Sequence, residues 1–281
     1  YVVVNDQFFT PTARYGDIVF PICTDLERAD LVSGQGNLHY NKQAVKRAGQ
    51  TQTDYWVFAR LAERLGFGEA YTDGKSETEW LEHFLAADDL DAAILRRDGI
   101  MRSQGSPPTK LAEFREDPVT NPLTTPSGLI EITCSSAEEY GLPIIPSHIG
   151  NGWDGSNNYP LRLVTPHSKL RANSSGYANP WLQRLDPHVV WVSSQDAEAR
   201  RIEHGDQVEV FNQYGTVAIT AKVTERIMPG TVCIYQGVWY RPGKDGVDEG
   251  GCANVLTGHH LSATGGMAVH SEWVEVRRKE A

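Results

Sequence analysis

Thr216-Val217-Ala218-Ile219-Thr220-Ala221-Lys222-Val223-Thr224 puts Val217, Ile219, Ala221 and Val223 on one side of an extended chain and Ala218, Thr220, Lys222 and Thr224 on the other. That alternation is a long strand with one buried face. Working outward, the turn Asn212-Gln213-Tyr214-Gly215 precedes it, and before that comes the strand-like run Val208-Glu209-Val210-Phe211 after Gly205-Asp206. Downstream, Pro229-Gly230 turns the chain into Thr231-Val232-Cys233-Ile234-Tyr235. A short helix at about 194–202 is expected, with Ser194 as its cap and Asp196 and Glu198 in its first turn. Further back, Leu161, Leu163 and Thr165 alternate with Arg162 and Val164. Short strands with turn signals every 8–12 residues or so predict a closed barrel.

The first half reads differently. Tyr1-Val2-Val3-Val4 is a strand-like opening, and Ile18–Ile22 is a second apolar run suited to a strand covered on both faces. From Thr53 the period becomes helical: Trp56, Ala59, Leu61, Ala62 and Leu65 recur at spacings of three and four, with Asp54 in the cap position and Gly66 as the stop. Ser76 and Glu79 form a capping box for a second helix that carries Trp80, Phe84 and Leu85 on one face. Strand, helix and short strand in alternation predict an α/β half. Residues 98–127 are rich in Gly and Pro, and Gly150-Asn151-Gly152-Trp153-Asp154-Gly155-Ser156-Asn157-Asn158 is a loop by composition. The expected organisation is an α/β portion over 1–115, an extended linker or wrap over 116–158, and the barrel over 159–281.

The chain has 281 residues, 40% hydrophobic and 22% charged, a composition that excludes disordered and fibrous architectures. Lys and Arg number 26 against 36 Asp and Glu, a net charge of −10. Such an acid balance lacks the broad positive field that duplex nucleic acid or an anionic membrane would need, so any anionic ligand must be met by a local cluster of donors. No apolar run reaches the length of roughly 18 residues that a membrane helix needs. The four cysteines, Cys23, Cys134, Cys233 and Cys252, lie far apart without a C-x-x-C, which argues against a metal cluster held by this chain and favours buried small hydrophobes. The chain opens on Tyr1, straight into a strand, and so reads as beginning within a domain.

Four constellations carry candidate chemistry. The densest is Thr165-Pro166-His167-Ser168-Lys169-Leu170-Arg171-Ala172-Asn173-Ser174-Ser175, just past a strand, where Arg171 and Lys169 could pair the charges of a phosphorylated, hydrogen-bond-rich ligand. The second is Asp6, at the carboxyl end of the first strand, the place where α/β sheets hold ligands. Third is Asp54, a carboxylate suited to the N1/N2 edge of guanine as well as to capping. Fourth is Gln236-Gly237-Val238-Trp239-Tyr240 with Gly250-Gly251-Cys252-Ala253-Asn254: the glycines admit close backbone approach and Trp239 could wall a pocket. Each has a plainer reading too, as a solvated loop, an Asx-turn, a helix cap and a hairpin with a core aromatic. Adjacent His259 and His260 diverge and cannot easily share a metal. There is no G-x-S-x-G, P-loop or H-E-x-x-H.

In order along the chain, Val4-Asn5-Asp6-Gln7-Phe8-Phe9-Thr10-Pro11-Thr12-Ala13-Arg14-Tyr15-Gly16-Asp17-Ile18-Val19-Phe20-Pro21, Thr125-Pro126-Ser127-Gly128-Leu129-Ile130-Glu131-Ile132, the 165–175 segment, Gly205-Asp206 with Val223-Thr224 and Met228-Pro229-Gly230, and Gly250-Gly251-Cys252-Ala253-Asn254-Val255-Leu256-Thr257 resemble the C-terminal portion of the catalytic subunit of the dimethyl sulfoxide reductase family of molybdenum enzymes. The closing stretch most resembles the anaerobic respiratory branch. The resemblance implies the end of an α/β domain followed by a six-stranded double-psi barrel, and a bis-molybdopterin guanine dinucleotide cofactor carrying molybdenum or tungsten. Carried over, Asn5 and Asp6 would contact a guanosine, Arg28 would lie near it, and Asp54 would read the guanine edge. Thr165, Pro166, His167, Ser168, Lys169, Leu170, Arg171, Ala172, Asn173 and Ser174 would line pterin and pyrophosphate, and Trp239, Asn254 and Ser271 would close the site from the barrel. Many relatives have His where this chain has Asn173 and Lys where it has Arg28; Asn keeps a donor and an acceptor, and Arg keeps the charge.

The resemblance places the metal ligand and any 4Fe-4S cysteines in an upstream part of the subunit. It also implies an iron–sulfur electron-transfer subunit, a membrane anchor subunit and a periplasmic or membrane-associated setting, with no nucleic acid and no membrane insertion by this chain. The expected activity is reduction of an S-oxide, N-oxide or related acceptor by oxygen-atom transfer. The alternatives are a non-catalytic barrel-bearing subunit or binding module, and a family member acting on aromatic hydroxyl substrates.

Overall fold

The computed structural model describes residues 1–34, 36–86, 90–102, 109–145, 147, 158–259, 266–267, 270 and 272–280. The loop expected at 150–158 falls outside these residues except for its last, and so do His260 and Ser271. The chain divides into two compact units, Tyr1–Thr124 and Thr125–Ala281.

In the first unit, β1 (Val3–Asp6) and β2 (Ile18–Pro21) pair in parallel, joined by the short helix α1 (Pro11–Arg14). The first strand starts two residues later than its apolar run, because Tyr1 and Val2 precede the ladder. The parallel pairing continues past β2 as Ile22 bridges Gln52. A second sheet is antiparallel, β3 (Asp30–Gly34), β4 (Asn37–Asn41) and β5 (Ile100–Arg102). The helices are α2 (Asp54–Arg64), α3 (Gly68–Thr72), α4 (Glu77–Leu85), α5 (Ala92–Asp98) and α6 (Ala112–Glu116). The Ser76–Glu79 capping box forms as expected at the start of α4. The cap of α2 is Thr53, not Asp54: the buried Thr53 hydroxyl accepts from the Trp56 N–H at 3.1 Å. Thr53 has the extended backbone a cap needs, which leaves the Asp54 carboxylate uncommitted to capping.

The second unit holds α7 (Ser136–Glu139), then the barrel: β6 (Leu161–Val164), α8 (Pro180–Leu185), β7 (Val189–Val192), α9 (Ser194–Ala199), β8 (Gln207–Phe211), β9 (Thr216–Val223), β10 (Thr231–Ile234) and β11 (Glu272–Arg278). The six strands close in the order β10-β6-β11-β8-β9-β7, with parallel pairs β6–β10 and β7–β9 among antiparallel ones. Val217, Ile219 and Ala221 point into one core with Leu161, Leu163, Val190, Val192, Val208, Val210, Val274 and Val276, as the alternation predicts. Helix α9 is capped by Ser193, one residue earlier than expected, and stops at Ala199 rather than near 202. Asp196 spends its carboxylate on the Ser193 hydroxyl and the Gly230 N–H, tying α9 to the turn before β10. Among the described cysteines all four are free; Cys23 and Cys233 are buried as expected, while Cys134 and Cys252 are only half-buried. No described helix is long and apolar enough to cross a membrane.

Candidate functional site

In the first unit the parallel strands end where α2 begins, so their carboxyl ends and the helix start share one neighbourhood. Gln52 is fixed there by the Pro21 carbonyl, which accepts its N–H, and by the Cys23 N–H, which donates to its carbonyl. Two residues on, Asp54 accepts at 3.0 Å from the Asn5 side-chain amide of β1. Asp54 and Arg28 line one cavity of about 530 Å³ with Asp30, Glu77, Tyr55, Tyr71, Trp80 and Phe84. Arg28 pairs with Asp25 and Asp30 at 3.2 and 2.9 Å, yet its buried Nε has no hydrogen-bond partner among the described residues. The aromatic wall is pinned: the Tyr55 hydroxyl donates to the Lys75 carbonyl and accepts from the Trp80 indole N–H. Asp6 does not join the lining. Its carboxylate is spent on the Gln7 and Phe8 N–H groups and the Thr10 hydroxyl, an Asx-turn that orients α1.

The cavity therefore offers carboxylates and one cation against a stack of rings. Guanine presents N1–H and N2–H donors together with O6 and N7 acceptors, so this inventory suits that base. Glu77, Tyr55 and Tyr71 were not singled out in the sequence, and Trp80 and Phe84 read there as the packed face of a helix rather than as a site wall.

In the second unit the 165–175 segment leaves β6 and runs along the start of the 236–240 stretch. The Gln236 N–H donates to the Pro166 carbonyl, and the Gln236 amide donates to His167 Nε2 at 2.7 Å. Gly237 has φ +89°, and a Cβ there would overlap the Asn173 carbonyl oxygen. Asn173 itself is left-handed at φ +53°, a conformation Asn tolerates better than most residues. Thr165 and Ser168 are buried, held by His270 Nδ1 at 2.7 Å and by Asp186 at 2.5 Å. Pro166, His167, Lys169, Leu170, Ala172, Asn173 and Ser174 are exposed.

Arg171, like Thr165 and Ser168, is buried within this otherwise exposed segment. It is only 8% exposed, and its Nε and Nη2 have no hydrogen-bond partner among the described residues. Its guanidinium lies 5.9 Å from the Tyr177 ring, which packs on Trp239 at 5.4 Å. A buried cation with two unspent N–H groups calls for an anion.

Asp248, absent from the candidates read in the sequence, is fully buried and accepts from the Arg241, Gly250 and Cys252 N–H groups at 2.6, 3.0 and 2.5 Å. It shapes the turn ahead of Asn254, which stands exposed on a short 3-10 helix, Ala253–Leu256. An Asp just ahead of Gly250-Gly251 is the sequence signal that could have flagged it. Among the described residues no cluster of His, Cys, Asp and Glu could hold a metal ion.

Two family models match this chain: Molybdopterin oxidoreductase over residues 1–64 and Molydopterin dinucleotide binding domain over residues 161–273. Dimethyl sulfoxide reductase DmsA of Escherichia coli (strain K12) is 36% identical over 99% of the chain, and that of Haemophilus influenzae is 34% identical over the same share. The chain belongs to the dimethyl sulfoxide reductase family of molybdopterin oxidoreductases. The trimethylamine-N-oxide reductase of Haemophilus influenzae is 37% identical over 91% of the chain. The chain spans 38% of the length of each DmsA relative and 35% of this third one. In fold it is similar to acetylene hydratase from Pelobacter acetylenicus, with a TM-score of 0.76 at 20% identity over 99% of the chain and 40% of that chain. The residues present suit a phosphorylated group such as a molybdopterin dinucleotide carries, since the buried Arg171 guanidinium has two nitrogens with no hydrogen-bond partner among the described residues.

Proposed function

We propose that this chain is the cofactor-gripping C-terminal part of a molybdenum or tungsten oxidoreductase that holds bis-molybdopterin guanine dinucleotide and reduces an S-oxide, N-oxide or related acceptor by oxygen-atom transfer. The observation that carries it is Arg171, a nine-tenths buried cation with two uncommitted nitrogens in the segment just past β6. Arg171 would pair a phosphate charge, while Lys169, at the exposed edge, adds a second cation. Asp54, positioned by the Asn5 amide, would accept from the guanine N1 and N2 hydrogens, with Arg28 donating to the same nucleotide. Asp6 would support this end indirectly, by fixing the turn after Asn5. Trp239 and Asn254 would wall the barrel side, and Ser271 would join them. The bound metal would supply a two-electron couple; this chain's residues fix its dinucleotides and exclude water around them.

The metal ligand would come from an upstream part of the same catalytic subunit, which would also carry any 4Fe-4S cluster. An iron–sulfur electron-transfer subunit and a membrane anchor would complete the enzyme, in a periplasmic or membrane-associated setting. The test is metal and nucleotide analysis of the natively purified enzyme. The expected result is one molybdenum or tungsten and two guanosine monophosphates per catalytic subunit, about what a bis-dinucleotide cofactor requires. Asp54→Ala should lower the nucleotide content. A native enzyme with neither metal nor guanine nucleotide overturns the proposal.

A further inference from the structure

The turn at Gly250–Cys252 is held from two directions. Asp248 takes the Gly250 and Cys252 N–H groups, and His188, just ahead of β7, bonds the Gly251 carbonyl that lies between them: its Nε2 is 2.8 Å from that oxygen. Gly251 sits at φ +73°, and a Cβ there would come within 2.9 Å of the same Nε2, so the imidazole fills the space beside the turn. On the far side of this turn, a Cβ on Gly250 would overlap the Trp239 carbonyl oxygen. The His188 ring, the glycine turn and the Trp239 backbone are therefore packed in series.

A carbonyl oxygen only accepts, so Nε2 carries a hydrogen, and in the neutral ring Nδ1 is then the lone pair. Nδ1 is buried with no hydrogen-bond partner among the described residues. The charged groups that face the ring are Arg171 from the 165–175 segment, Asp186 two residues before it, and Asp248 from the turn. Burial is the largest influence and holds the imidazole below its ordinary range; the Gly251 bond opposes it, Arg171 adds to it, and the two carboxylates oppose it.

We propose that His188 is a positioning residue: its neutral ring holds the Gly250–Gly251 turn, and with it the Trp239 wall, in the shape that retains the dinucleotide, and its protonation in acid loosens that turn. This rests on the cofactor reading above. Protonation would place a hydrogen on Nδ1 with nothing to receive it and a second cation beside Arg171, whose charge is meant for the ligand. His188 touches neither end of the ligand in this account; it acts through the backbone of the turn.

The test uses the complete native enzyme with His188→Gln and His188→Phe. Gln keeps an N–H donor within reach of the Gly251 carbonyl but cannot take up a proton; Phe fills the space without a donor. Pterin fluorescence and guanosine monophosphate remaining with the protein after gel filtration are read across a pH series. Loss of one buried hydrogen bond predicts about tenfold faster cofactor loss from His188→Phe at neutral pH. His188→Gln should match wild type at neutral pH and lack the increased loss in acid. Retention by His188→Phe equal to wild type overturns the inference, as does an acid limb in His188→Gln identical to that of wild type. Should His188→Phe fail to fold, the His188→Gln acid limb alone decides. Wild-type enzyme without pterin or guanine nucleotide removes the cofactor reading and this inference with it, an outcome distinct from a variant that keeps its cofactor.

Discussion

Every barrel strand in the second unit has a neighbour on both sides, whereas β1 in the first unit is paired, among the described residues, only with β2. The consequence is visible in burial. Leu163, Val190, Val192, Val208, Val210 and Val274 are wholly enclosed, while Val3, Ile18 and Phe20 of the parallel pair remain exposed. A closed sheet satisfies its own backbone and covers its own apolar face; a two-stranded parallel pair does neither, and parallel strands ordinarily have both faces covered. The difference teaches that the barrel's stability resides in its own sequence, and that the first unit is organised around what it presents at the ends of its strands.

The contrast is broken most directly by core truncation. Leu163→Ala should destabilise by about 2–5 kcal/mol, whereas Phe20→Ala should cost under about 1 kcal/mol, read as denaturant midpoints. Equal losses would mean that the parallel pair is as self-sufficient as the barrel. Within the barrel unit, Gly237→Ala adds a methyl against the Asn173 backbone at a positive φ and should cost about 2–4 kcal/mol with loss of cofactor. Gly205→Ala, also at positive φ but with nothing within 4 Å, should cost only about 1 kcal/mol and leave the cofactor in place.

Asp248→Asn removes an acceptor from a carboxylate serving three backbone N–H groups, and a loss of about 1–3 kcal/mol is expected in thermal unfolding. In the first unit, Thr53→Ala should lower stability by about 1 kcal/mol through the lost cap. Its neighbour Asp54→Ala should change stability by less than about 0.5 kcal/mol while lowering nucleotide content, because the cap lies elsewhere. The smallest effect is chemical. Burial pushes the Cys233 thiol up to about 11, so at pH 8 it stays protonated and should resist a thiol reagent in the folded protein, while half-buried Cys134 reacts first.

Much of this was legible in the residues. The alternation at 216–224 required a strand with one buried face, and the capping box at Ser76 required a helix start, since both depend on neighbours only a few residues apart. Local pattern also erred by one residue at two caps, naming Asp54 and Ser194 where Thr53 and Ser193 hold the helices. Adjacent residues that can both cap are separated by backbone dihedrals, which composition does not encode. The site was half legible. Arg171 and Lys169 stood out together in one loop, yet nothing in their spacing said that one is buried with two nitrogens lacking a hydrogen-bond partner among the described residues and the other exposed.

Asp248 and His188 mark the limit most clearly. His188 bonds a carbonyl 63 positions away, and no local period relates the two. By itself the sequence determined the barrel's inward faces and the start of the capped helix at Ser76, because periodicity and turn chemistry are short-range. Only the tertiary structure decided which carboxylate is spared from capping, which buried cation keeps nitrogens without a hydrogen-bond partner among the described residues, and which glycines are pressed against backbone. Those properties are set by burial and by partners brought together through barrel closure and strand pairing, over distances along the chain that no local pattern spans.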